Sequence, residues 1–271
     1  MALTAFQRDV CRLLAEQRKR SGESYVAGGV ALNELTQGTR LSRDIDLFHD
    51  TAEALRASWD GDRLLLEQTG HTVEVVRERP TFVEALVRRG QDQVVLEWSQ
   101  DSAYRFFPLV EHSELGLTLH PVDLATNKVL ALVGRHEVRD FIDVVRCDEV
   151  LQPLGYLAWA AAGKDPGFSP RSILEEAGRS VRYPQVEIDA LAFEGRRPDA
   201  TALGQRWRAM LAEARLVIDL LPPGNAGTCV LTSQGDLFRE PSSALRASLA
   251  GGRVVFHPGT LRGSFPAVSS G

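Results

Sequence analysis

The chain has 271 residues, of which 44% are hydrophobic and 25% charged, and its formal net charge is −5. Such a length suits one large domain or two modest ones, and such a composition suits a packed core, which excludes a disordered tail protein, a collagen-like chain and a disulfide-dense scaffold. No apolar run approaches the roughly 18 residues of a membrane span and charge arrives at once near the N-terminus, so a cytoplasmic protein without membrane association is expected.

Phe6, Val10, Leu13 and Leu14 recur at helical spacing and predict an amphipathic helix over residues 4–19. A glycine pair, Gly28 and Gly29, then opens a short helix, and Gly38 with Thr39 makes a turn. Ile45-Asp46-Leu47-Phe48 alternates apolar and acidic, as a half-buried strand does. Residues 51–69 return to helical period. Residues 72–77, 82–87 and 94–98 read as strands, the last two joined by Arg89-Gly90-Gln91-Asp92. After Pro121 the pattern is almost wholly helical, over residues 122–133, 137–147, 154–162, 171–180, 185–193 and 201–221, and Pro222-Pro223-Gly224 stops the last helix. Beyond it lie short strand-like pieces at 228–231 and 254–256 among many Gly, Pro and Ser residues. The expected organisation is an α/β module over residues 1–120, a helical module over 121–227 and an irregular tail over 228–271.

Asp44 and Asp46 are two apart on a strand, so both carboxylates leave the same face, about 6.6 Å apart along the backbone. Oxygen donors at that spacing suit a hard divalent cation such as Mg²⁺, which keeps room for substrate phosphates. The glycine pair at a helix entrance offers backbone N–H groups and the positive end of the helix dipole to an anion. Together they make half of a nucleoside triphosphate site. The bland alternative is that Arg40 or Arg43 neutralises the two acids, because same-face carboxylates without a cation or basic partner raise each other's pKa.

Gly28-Gly29-Val30-Ala31-Leu32 followed by Arg40-Leu41-Ser42-Arg43-Asp44-Ile45-Asp46-Leu47-Phe48 resembles the glycine pair and D-x-D signature of the DNA polymerase β-like nucleotidyltransferase superfamily. More narrowly, it resembles the nucleotidyl transferase AbiEii/AbiGii toxin family, as do Asn127-Lys128-Val129-Leu130-Ala131-Leu132 and Arg139-Asp140-Phe141-Ile142-Asp143. These motifs span residues 25–146. The resemblance implies a fold of α/β (α+β) class, a polymerase β-like core with a mixed sheet followed by a helical C-terminal domain. It also implies a Mg²⁺-dependent enzyme in which Asp44, Asp46 and a third carboxylate hold the metal while Gly28, Gly29, Ser42 and Lys128 bind the nucleotide. Glu97, a lone acid within Val94-Val95-Leu96-Glu97-Trp98, is the better candidate for the third carboxylate. Glu74 is the rival, although strand alternation already explains it as a solvent-facing residue.

Only three of the 31 basic residues are lysine (Lys19, Lys128, Lys164), so a lysine on an apolar helix face stands out. Lys128 either snorkels or reaches the triphosphate as a point charge. Asp140 either orients Lys128, the preferred reading, or acts as base for the acceptor hydroxyl. An Arg139–Asp143 pair at i,i+4 accounts for part of this motif. The family further implies a bacterial toxin acting on RNA, the 3′ end of transfer RNA being the first acceptor to consider, with an antitoxin partner and a phage-defence role. Transfer to a small molecule or protein and a non-catalytic nucleotide-binding module are the alternatives. Walker-type, dinucleotide-binding and G-x-S-x-G motifs are absent, and Cys11, Cys147 and Cys229 form no C-x-x-C pair. Trp98, Trp159, Trp207, Phe106 and Phe107 read as core, and Arg196, Arg197, Arg206 and Arg208 read as a solvated helix face that RNA phosphates could meet.

Overall fold

A computed structural model describes residues 3–179 and 183–267. The chain divides into two units, residues 1–103 with 109–120 and residues 104–108 with 121–271. In the first unit, α1 (Ala5–Ser21) starts with a reciprocal cap, where Thr4 Oγ1 accepts from the Gln7 amide at 3.2 Å and Gln7 Oε1 accepts from the Thr4 amide at 2.8 Å. It stops at Gly22, whose φ of 65° is left-handed. Then follow β1 (Ser24–Val26), α2 (Gly28–Leu35), β2 (Asp44–His49), α3 (Ala52–Gln68), β3 (Thr72–Arg79), β4 (Phe82–Arg89) and β5 (Asp92–Gln100). The two-residue β6 (Tyr104–Arg105) belongs to the second unit, and β7 (Val110–His112) and β8 (Gly116–Thr118) complete the first.

These strands form one mixed sheet in the order β3-β4-β5-β2-β1-β8-β7, with β2 parallel to β5, β1 parallel to β8 and the other neighbours antiparallel. The predicted strands at 72–77, 82–87 and 94–98 are present and longer, because hairpin pairing continues towards the turns. The strands β1, β7 and β8 have three residues each, too few to show a full alternation in sequence.

Alternation along β2, β4 and β5 sends Ile45, Leu47, Val83, Ala85, Val87, Leu96 and Trp98 to one buried face. Helices α1 and α3 cover that face. Each such aliphatic side chain contributes about 1.5–3 kcal/mol on burial. Trp98 meets Trp59 edge-on at 4.8 Å, and its Nε1 donates to Asp62 at 2.9 Å. Burial pushes the Asp62 carboxyl up, against the Arg18 charge and the hydrogen bonds from Trp98 and Ser58.

The second unit contains α4 (Pro121–Arg135), α5 (Val138–Val150), α6 (Leu154–Ala161), α7 (Pro170–Arg179), α8 (Gln185–Asp189) and α9 (Ala200–Leu220). The tail continues with β9 (Thr228–Thr232), α10 (Ser242–Ala250), β10 (Val254–Pro258) and β11 (Thr260–Leu261). All eight residues of α6 are buried, and it packs against α4, α7, α9 and β9. Gly155 permits this: a Cβ there would lie 2.7 Å from Val217 Cβ on α9. Of the predicted helix at 171–180, Ser180 lies outside the described residues. The predicted helix at 185–193 shortens to α8, which buries only Ile188 and so has little apolar face to extend it. Residues 228–258 are more ordered than an irregular tail: β9 and β10 pair antiparallel, and β11 pairs with β6. Trp159, Trp207, Phe106 and Phe107 are buried, as expected of core residues. Among the described residues no helix is long and apolar enough to cross a membrane.

Trp98→Phe keeps most of the apolar contact and removes the donor to Asp62. It should lower unfolding stability by about 1–3 kcal/mol, read as a shift of the urea midpoint; an unchanged midpoint would show that the indole hydrogen bond contributes nothing.

Candidate active site

The face of the sheet opposite the core carries acids. On β2, Ile45 and Leu47 point inward, so Asp44 and Asp46 point outward and stay half-buried. Strand pairing adds two more: Asp46 lies opposite Glu97 on β5, and Glu97 lies opposite Glu84 on β4. Glu84 is held by Arg77 at 2.8 Å. Glu97 makes no side-chain hydrogen bond or ion pair with a described residue. Its carboxyl is pushed up to about 7 by burial first, then by the charges of Asp46, Asp44 and Glu84, against a weaker pull from Arg77.

The glycine pair faces the same acids. Gly28 has a φ of 64°, a left-handed conformation that other residues rarely adopt, and a Cβ there would collide with the Asp46 carboxylate. Gly29 is the second residue of α2, and Ala27 at the N-cap supplies no side-chain cap to the first-turn amides. A Cβ on Gly29 would lie 2.5 Å from Arg40 Nη2 and 3.0 Å from Ser42 Oγ. Ser42 Oγ donates to Asp44 Oδ1 at 3.0 Å, while the Ser42 carbonyl accepts from Gln7 Nε2 at 3.0 Å, tying this loop to α1. Gly28, Gly29, Ser42, Asp44 and Asp46 are therefore neighbours in one unit.

The donor set fits Mg²⁺ in its chemistry. Asp44 and Asp46 are hard oxygen donors on one face, with the Glu97 carboxyl, raised first by burial and then by its acidic neighbours, beside them. Among the described residues no three of His, Cys, Asp and Glu converge as a ready metal shell, so Glu97 stands beside the aspartate pair in register rather than in a closed triad. Glu74 lies elsewhere, exposed on the edge strand β3 and bonded to Arg88 at 2.6 Å. Glu84 escaped the sequence reading; its signal was its place between the inward-facing Val83 and Ala85, the same alternation that exposes Glu97.

Lys128, Asp140 and Asp143 come together in the second unit. Lys128 Nζ lies 3.0 Å from Asp140 and 3.1 Å from Asp143, both fully buried carboxylates. Arg135 reaches Asp140 with two hydrogen bonds of 2.6 and 3.0 Å. Burial raises the Asp140 carboxyl, but Arg135 and Lys128 outweigh it and hold the group below its ordinary range. Arg139 pairs with Glu137 at 2.6 Å, and it is Lys128 that takes Asp143, which differs from the expected i,i+4 pair. Arg206 pairs with Glu149 at 2.6 Å and Asp148 at 3.5 Å.

Lys128→Met should cost about 3–5 kcal/mol, because it takes a buried cation away from two buried carboxylates. The Asp140 contribution is present at neutral pH, since its folded pKa lies below the unfolded one, and it is lost as pH falls through the folded value. Urea titrations at pH 7 and at a pH well below the ordinary Asp value of about 3.9 check both; a variant as stable as the parent at pH 7 would refute the assignment.

No family model matches the chain, and no curated protein matches it in sequence. Solved structures do match. MenT4, a nucleotidyltransferase toxin of Mycobacterium tuberculosis H37Rv, superposes with a TM-score of 0.54 at 14% identity, over 80% of this chain and 84% of that one. A Helicobacter pylori protein described as a nucleotidyltransferase superposes with a TM-score of 0.49 at 15% identity, over 81% of this chain and 96% of that one. The mixed sheet with its helices resembles the fold of MenT4.

Proposed function

We propose that the chain is a Mg²⁺-dependent nucleotidyltransferase that moves a nucleoside monophosphate from an NTP to an acceptor hydroxyl. The observation that carries this reading is the meeting of Asp44 and Asp46 with the Gly28–Gly29 helix entrance, with Glu97 in register beside them. Mg²⁺ held by Asp44 and Asp46 would offset polyphosphate charge and stabilise the attacking and leaving oxygens.

The chain's own groups do the rest. Amides of Gly28 and Gly29 and the positive end of α2 receive phosphate oxygens. Ser42 holds Asp44 and borders Gly29, so its hydroxyl lies between metal side and phosphate side. The acceptor oxygen bonds to the α-phosphorus while the bond from that phosphorus to the bridging oxygen breaks, and pyrophosphate leaves with the electron pair. The hydroxyl proton passes to a base. Glu97, a carboxylate in register beside Asp46 with no partner of its own among the described residues, suits that task. Most of the rate then comes from positioning and electrostatics. The groups used here all belong to the first unit; Lys128, the expected triphosphate contact, is a cation engaged by Asp140 and Asp143.

The resemblance to the AbiEii/AbiGii toxins supports a toxin acting on RNA, with the 3′ end of transfer RNA as first acceptor and a cognate antitoxin as partner. Incubation of the chain with each labelled NTP, Mg²⁺ and total RNA tests this, with label expected in small RNA and lost on chelation. Asp46→Ala should lower transfer at least ~100-fold with an unchanged melting midpoint; near-parental transfer by that variant sinks the reading. Label in protein or in a small-molecule fraction would move the acceptor class instead.

A second expectation concerns pH. Glu97 must be ionised to take a proton, and Mg²⁺ on its neighbour Asp46 pulls its pKa down from the metal-free value, so kcat/KM should rise with pH along an acid limb that levels off below pH 7. Glu97→Gln should flatten that limb, and a limb that survives the substitution would assign the base elsewhere.

A further inference from the structure

We propose that Arg40 is a substrate-binding residue that grips the β- and γ-phosphates of the nucleoside triphosphate. This deepens the nucleotidyl-transfer reading and rests on it. The starting point is that the two glycines of the pair are needed for different reasons. Gly28 is required by its backbone, at φ 64°, and by Asp46. Gly29 is not among the positive-φ residues, so any side chain suits its backbone. What excludes a side chain there is the Arg40 guanidinium, whose Nη2 would lie 2.5 Å from a Cβ, with Ser42 Oγ at 3.0 Å. The glycine at 29 keeps open the place that a guanidinium occupies at the helix entrance.

Arg40 is only 4% exposed. Burying a guanidinium is costly, so its position needs a reason beyond solvation. Neutralising the acids is one such reason, since the outer sheet face carries Asp44, Asp46 and Glu97 besides the Glu84 already held by Arg77. Geometry supplies a second reason. Along the helix entrance a carboxylate borders Gly28 and a guanidinium borders the next residue. A polyphosphate laid over these glycines meets the metal-binding acids at one end and an always-charged planar fork at the other. That fork matches phosphate oxygens two at a time, which a lysine cannot do.

Equilibrium binding of an NTP, the matching NMP and inorganic pyrophosphate to the full chain, with Mg²⁺ present, tests the assignment. The parent should bind NTP and pyrophosphate more tightly than NMP. Arg40→Gln should weaken NTP and pyrophosphate at least tenfold and leave NMP within twofold, while Arg40→Lys recovers only part of the loss. Gly29→Ala, whose Cβ displaces the guanidinium, should reproduce the selective loss and serves if Arg40→Gln does not fold, as judged by its melting midpoint. Parental affinity for pyrophosphate in Arg40→Gln, or in Gly29→Ala should the first not fold, overturns the proposal. If the parent transfers nucleotide yet Arg40→Gln binds NTP normally, the Arg40 role fails and the reaction stands. If the parent binds NTP with this arginine dependence but transfers nothing to any acceptor, the reaction fails and the phosphate role stands. A parent that binds neither NTP nor pyrophosphate overturns both.

Discussion

Negative charge gathered on one face of the central sheet is the constraint around which the first unit is built. Asp44 and Asp46 leave β2 on the same side, Glu97 lies in register beside Asp46, and Glu84 lies beside Glu97. None of these can turn inward, because their strand neighbours Ile45, Leu47, Val83, Ala85, Leu96 and Trp98 are locked in the core. A one-residue slip would exchange the two sets and bury the acids, so hydrophobic packing holds the register that crowds the carboxylates. The repulsion is written into Glu97, whose carboxyl is driven to about 7 by burial and by its acidic neighbours. A cation relieves that repulsion directly, which makes the electrostatic strain itself part of the reading.

The second unit treats charge in the opposite way. Lys128 is enclosed by Asp140 and Asp143 while Arg135 completes Asp140, two cations against two anions. Lys164 repeats the device. Its ammonium lies 2.8 Å from Asp123 and 2.8 Å from Asn127 Oδ1, and Asp123 also accepts the amides of Phe106 and Phe107. Two of the three lysines are thus buried and balanced in a chain that otherwise prefers arginine. Balanced buried clusters specify packing, since removing either partner leaves an uncompensated charge.

Much of this was legible from local order. Alternation in β2, β4 and β5, helical periodicity in α1, α3, α4 and α9, and the stop at Pro222 need only neighbours in sequence. The pairing of Lys128 with Asp140 and Asp143 joins adjacent helices whose motif residues were already singled out. Elements of three residues, β1, β7 and β8, left no periodic trace, and neither did α10. The ordered pairing of β9 with β10 and of β11 with β6 was hidden because glycine and proline around those strands read as irregular chain.

The order of residues alone determined that Asp44 and Asp46 share a face and that a glycine pair precedes a short helix, because strand and helix periods are properties of the backbone. It also placed Glu97 on a strand with its acid opposite in phase to Leu96 and Trp98. Only the tertiary structure decided that Glu97, not Glu74, stands next to Asp46, because neighbour relations between strands depend on sheet order, with β3 at the edge and β5 against β2. It likewise decided that Gly29 answers to Arg40 and Gly28 to Asp46. Such contacts join residues more than ten positions apart, and no local periodicity encodes the loop geometry that returns one to the other.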